Sequence, residues 1–109
     1  MKSSLDVGEI TDLIINIAPS FSEVLKVILF GSYARGEANI QSDVDVAIVH
    51  ENDIVSSFSR ALKSKFNKVY DGDIDVQFTY LSQINYEEDN HILNVAKSVR
   101  EEGITLWSR

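Results

Sequence analysis

Apolar and polar positions follow two rhythms along this chain. Val7, Ile10, Leu13, Ile14 and Ile17 recur at i, i+3 and i+4, the spacing that lines one face of a helix, and the run stops near Ala18-Pro19. Asp6-Val7-Gly8-Glu9 places an acid at the N-cap with Glu three residues later, a capping-box arrangement. Val55, Phe58, Ala61, Leu62 and Phe66 predict a second helix. Ile92, Leu93, Val95, Ala96 and Val99 predict a third, stopped by Gly103. Between the helices lie three strand-like runs. Leu25 to Phe30 is the first, and Asp43 to Val49, acid alternating with aliphatic before turning wholly apolar, is the second. After an Asp71-Gly72 turn, Asp73-Ile74-Asp75-Val76-Gln77-Phe78 alternates strictly, with Ile74, Val76 and Phe78 toward the core. Tyr33 to Glu37 begins a short helical turn, and Ile104-Thr105-Leu106-Trp107 is a short apolar terminal piece. This order predicts an α/β (α+β) chain folded as a single domain over residues 1–109.

Composition narrows the function classes. The chain has 109 residues, enough for one core and little beyond it. It contains no Cys, so disulfides and thiolate metal sites are out and a reducing cytoplasm is the expected setting. No apolar run approaches the ~20 residues of a membrane span, and the N-terminus has no signal-peptide pattern. The net charge of −7 disfavours direct binding of nucleic acid and suits a basic protein partner.

The candidate chemistry sits where the first strand stops. Val27-Ile28-Leu29-Phe30 runs straight into Gly31-Ser32, a turn whose backbone is left bare, and Ser42-Asp43-Val44-Asp45 follows after a short polar run. Gly allows close approach of a ligand, the amides after it can donate to phosphate oxygens, and Ser32 adds a hydroxyl. Asp43 and Asp45 stand two apart in an extended segment and share a face, where two carboxylates repel unless a cation lies between them. Asp75 joins the pair if the second and third strands are neighbours. Three hard-oxygen ligands without His or Cys suit Mg²⁺ rather than Zn²⁺, and two such ions are the apparatus of in-line phosphoryl transfer. Asp75 is the candidate base, preferred over Asp73 because it lies deeper in the alternating run.

A lone acid at a strand end is ordinarily a solvated turn residue, but three on matched faces below a Gly-Ser turn are not. Other assignments stay open. Arg35 either contacts phosphates or pairs with Glu37; Ser42 either belongs to the nucleotide site or braces the Asp43 turn; Tyr33 is either core or flanks the nucleotide. His50 and His91 stand apart from any nucleophile, Trp107 reads as packing, and Glu87-Glu88-Asp89 reads as an acidic first turn of a helix.

Gly31-Ser32, ten residues, then Asp43-Val44-Asp45 resembles the G-S-x(10)-D-x-D signature of nucleotidyltransferases related to DNA polymerase beta. The fuller string GSYARGEANIQSDVDVAIV is similar to the minimal nucleotidyltransferases, the MNT or MntA proteins, whose third acid matches Asp75 and whose ending resembles Glu102-Gly103-Ile104. The resemblance implies a polymerase-beta-like fold, a mixed β-sheet flanked by helices, that binds ATP and Mg²⁺. Catalytic and metal roles then fall to Asp43, Asp45 and Asp75, and nucleotide contacts to Gly31, Ser32, Arg35 and Ser42. It further implies an antitoxin of a type VII system that transfers AMP to a tyrosine of a HEPN-domain ribonuclease toxin and forms a hetero-oligomer with it. Neutralisation by binding alone and transfer to a small-molecule hydroxyl are the alternatives. A chain this short has little left for an acceptor-binding domain, which favours a protein acceptor.

Overall fold

The computed structural model of the chain describes residues 7–39, 42–52, 57–87 and 94–109. Helix α1 (Val7–Ile17) runs through a 3-10 turn (Ala18–Ser20) into strand β1 (Val24–Phe30). A one-turn helix α2 (Ser32–Arg35) leads to β2 (Val44–His50), α3 (Ser57–Val69) and β3 (Val76–Ser82). Helices α4 (Gln83–Glu87) and α5 (Asn94–Glu102) and strand β4 (Ile104–Ser108) complete the described elements. The strands form one sheet in the order β3-β2-β1-β4. β1 is antiparallel to β2 and β4, while β2 and β3 are parallel, with α3 between them in the chain. A parallel pair needs such a crossover, and a helix is its usual form. The sheet is mixed, as the resemblance implies.

Both faces of this sheet are covered, which is why β1 and β2 are nearly continuous apolar runs. Val27, Leu29, Val44, Val46 and Ile48 pack with Ile10, Ile14 and Ile17 of α1 and with Phe58, Leu62 and Phe66 of α3. Ile28, Phe30, Ala47, Val49 and Leu81 face the other way, against Ala96 and Val99 of α5. Each side chain removed from water in this way contributes about 1.5–3 kcal/mol against chain entropy. Among the described residues no helix is long and apolar enough to cross a membrane.

Three predicted elements differ. The third strand starts at Val76 rather than Asp73 and runs on to Ser82. Tyr70 explains the late start: its hydroxyl donates to the Ile74 carbonyl at 2.6 Å and its ring stacks on Phe66 at 5.0 Å. The chain from 71 to 75 wraps around that ring, and a Cβ on Gly72 would lie only 2.6 Å from the Tyr70 oxygen. The added residues Thr79 to Ser82 extend the parallel ladder along β2 to His50. The terminal apolar piece is strand β4, held through Lys26–Ser108, Val27–Trp107, Ile28–Thr105 and Leu29–Ile104 pairs with β1. Helix α4 is too short and polar to show an apolar period, and it makes Glu87 the end of a helix rather than part of a first turn. The capping acid Asp6, the helix-start residues Val55, Ile92 and Leu93, and Glu88, Asp89 and His91 lie outside the described residues.

Candidate active site

β1 ends at Gly31, whose φ of 77° lies in the left-handed region that side chains avoid. The turn lets α2 begin at once, and Gly36, with φ 75°, closes it after a single turn. The first amides of any helix have no intrahelical partner. Here they follow Gly31 directly, while the Arg35 amide already donates back to the Gly31 carbonyl at 3.1 Å.

Asp45 lies beneath this turn. It pairs in register with Phe30, and a Cβ built on Gly31 would collide with its Oδ2 and stand 3.2 Å from its Cβ and Cγ. Glycine is therefore required twice at position 31, for the backbone angle and for the space its missing side chain leaves to Asp45. Alternation along β2 puts Asp45 on the α5 side of the sheet with Ala47 and Val49, and puts Asp43 on the same side. Burial pushes the Asp45 carboxyl above its ordinary value, the neighbouring charge of Asp43 pushes it further, and Arg35 draws it partly back. A cation held by the pair would relieve both strains. Two carboxylates fit Mg²⁺, which is commonly held by one or two acids together with substrate phosphates and water.

Arg35 is held by two acids. Its Nε donates to Glu37 at 3.3 Å and its Nη1 to Glu102 at 3.1 Å. These hydrogen bonds, Glu102 first, raise an already basic guanidinium. The Glu37 pair was an open alternative in the sequence, whereas the Glu102 contact was not anticipated. Its only signal was Glu102-Gly103-Ile104 itself. Gly103 is required there because a Cβ would collide with the Val99 carbonyl and approach Ile28 Cγ2 to 2.5 Å. The tight exit from α5 thus brings Glu102 to α2 and sends the chain into β4.

Ser42 takes the bracing position. Its hydroxyl accepts the Asn39 amide at 2.9 Å and its own amide donates to the Asn39 carbonyl at 3.0 Å. Tyr33 packs against the core on the α1 and α3 side. Asp75 lies one residue before β3, and the Val44–Val76 register, extended by one, sets it beside Asp43. Its carbonyl accepts the Val44 amide at 2.8 Å. Among the described residues, no three His, Cys, Asp or Glu side chains come close enough to share a metal ion. The structure thus brings Gly31, Asp43, Asp45 and Arg35 together and sets Asp75 alongside through its backbone, without gathering its carboxylate into the pair.

Residues 12–109 match the family model described as "Polymerase beta, Nucleotidyltransferase". A Methanocaldococcus jannaschii chain named as a protein adenylyltransferase, MJ0604, is 31% identical over 86 residues, which are 77% of this chain and 79% of that one. A second from the same organism, MJ1379, carries the same description and is 35% identical over 58% of this chain and 63% of its own length. Among solved structures, a nucleotidyltransferase from Sulfolobus solfataricus superposes with a TM-score of 0.59 at 21% identity, over 91% of this chain and 77% of that one. A chain from a toxin–antitoxin complex with AMP-PNP superposes at 0.64, with 21% identity over 91% and 73%. A chain from tri-AMPylated Shewanella oneidensis HEPN toxin in complex with MNT antitoxin superposes at 0.59, with 19% identity over 94% and 72%. The family match over residues 12–109 and the 31% relative agree with the motif and the fold: this chain belongs to the polymerase beta family of nucleotidyltransferases and is a nucleotidyltransferase enzyme.

Proposed function

We propose that this nucleotidyltransferase is the antitoxin of a HEPN toxin pair, transferring AMP from ATP to a tyrosine hydroxyl of the toxin with Mg²⁺. The observation that carries the reading is Asp45, paired with Asp43 and lying directly under the Gly31 turn. Relatives named as protein adenylyltransferases support a protein acceptor, and a shared fold with chains from HEPN–MNT complexes supports the partner.

In this reading the amides after Gly31 and the Ser32 hydroxyl hold phosphate oxygens, and Arg35 adds a fixed positive charge beside them. Asp43 and Asp45 would hold Mg²⁺, which supplies charge neutralisation and Lewis acidity to the triphosphate when bound. The tyrosine oxygen bonds to the α-phosphorus, the bond from that phosphorus to the β-phosphate oxygen breaks, and pyrophosphate leaves. Asp75, at the rim of the pair, accepts the hydroxyl proton. Ser42 acts indirectly, by holding the loop that delivers Asp43.

The test is incubation of the protein with ATP, Mg²⁺ and the protein encoded beside it. The expected result is AMP on a tyrosine of that partner with loss of its toxicity; an unmodified, still toxic partner would refute the reading. The net charge of −7 favours a second reading, neutralisation by binding alone. That mechanism would leave the partner harmless without any AMP attached.

A further inference from the structure

Helix α3 departs from the charge of the rest of the molecule. Its thirteen residues carry Arg60, Lys63, Lys65 and Lys68, four of the ten Lys and Arg in the chain, and no acid, although the chain has a net charge of −7. Arg60, Lys63 and Lys68 recur at near-helical spacing and line a cavity of about 680 Å³, whose other wall includes Gln77, Phe78 and Tyr80 of β3. No acid lines it. A smaller cavity of about 190 Å³ continues from it, sharing Lys63, Asn67 and Gln77, and reaches Tyr70 and Asp75. The two form a basic groove along α3 and β3 that ends beside the candidate base.

β3 is also an edge of the sheet, bonded to β2 on one side only. Its Val76 carbonyl is met by Lys63 Nζ at 3.1 Å, so a side-chain cation covers that group. An edge strand is a template for an added strand, in which backbone hydrogen bonds give affinity and side-chain pockets give selectivity. Phe78 and Tyr80 line the groove from the α3 side of the sheet, while Gln77 and Asp75 alternate with them toward the side of Asp45 and Asp43, so the groove passes over the β3 edge toward the candidate site.

We propose that this groove docks an extended, acid-rich segment of the acceptor protein, laid beside β3 and directed toward Asp75. The proposal rests on the protein-transfer reading above and adds how the acceptor is recognised. A peptide fits better than a nucleic acid because the open edge offers backbone partners to another backbone.

The probe is a fluorescein-labelled peptide of alternating Glu and Val, measured by fluorescence anisotropy at low salt beside a Lys-for-Glu peptide and a single-stranded oligonucleotide. Wild-type protein is expected to bind the acidic peptide, with affinity falling as salt rises. Arg60→Glu/Lys68→Glu, at two exposed positions, should weaken it about tenfold or more. Arg60→Gln/Lys68→Gln should weaken it less, and provides the test if the reversed charges disturb folding. For transfer, the double reversal should raise KM for the acceptor protein about tenfold while kcat and release of AMP from ATP into water stay unchanged. Equal peptide binding by wild type and both variants, or an oligonucleotide that binds at least as tightly as the peptide, overturns the proposal. If wild type never modifies the acceptor yet binds the acidic peptide through Arg60 and Lys68, the protein-transfer reading fails and the groove stands.

Discussion

At position 31 a hydrogen atom is all that the fold accommodates. An alanine there would take a left-handed backbone angle and place its methyl against the Asp45 carboxylate. Gly31→Ala is expected to cost about 1–3 kcal/mol, read as a lowered midpoint in chemical denaturation. Asp45 carries the opposite sign. Its carboxyl titrates above the ordinary value because burial and Asp43 disfavour the charge. Its favourable contribution is therefore complete below the ordinary carboxylate pKa and is lost as pH rises through the raised one. Asp45→Asn should thus raise Tm at pH 7 by a few degrees, given that ~1 kcal/mol moves Tm by roughly 4–8 °C in a domain of this size. The gain should shrink as pH falls through the raised pKa, where the wild-type carboxyl takes up its proton.

At the scale of elements, β3 determines how the two halves of the molecule meet. Tyr80, on its α3 side, donates its hydroxyl to the Ser59 carbonyl at 3.1 Å, and burial pushes its pKa up to about 12. That neutral phenol supports the fold fully below pH 10 and progressively less up to about 12. Tyr80→Phe is expected to cost about 1 kcal/mol at pH 7 and to flatten the fall in Tm between pH 9 and pH 11. The sequence carried β1 and β2 clearly because continuous apolar runs are what a sheet covered on both faces requires. It carried the helices because Ile10, Ile14, Phe58, Leu62 and Phe66 keep the period of 3.6. The start of β3 was not legible from alternation alone, since Asp73 and Ile74 alternate as a strand would but wrap around the Tyr70 ring instead. Nor was β4: five residues, none of them fully buried, leave too weak a pattern, and the pairing with β1 spans most of the chain. Of the candidate site, Gly31, Asp43 and Asp45 were readable because their chemistry is local. The Arg35–Glu102 contact was not, because 67 residues separate its partners.

Across the whole molecule the sheet carries two distinct features. On the α5 side stand the Gly31 turn and its two carboxylates; on the α3 side runs the most basic helix among the described elements, whose groove passes over the β3 edge to Asp75. The central claim is that AMP transfer at Asp43 and Asp45, and not contact alone, neutralises the partner. The most direct measurement is intact mass spectrometry of the protein encoded beside this one after incubation with ATP, Mg²⁺ and either wild type or Asp43→Asn/Asp45→Asn, with toxicity scored on the same samples. Losing carboxylates that neutralise the triphosphate removes several kcal/mol of transition-state stabilisation, so transfer should fall by about a hundredfold or more. Wild type should add AMP and abolish toxicity, and the double variant should do neither. A double variant that neutralises the partner as well as wild type, with no AMP on it, would contradict the account.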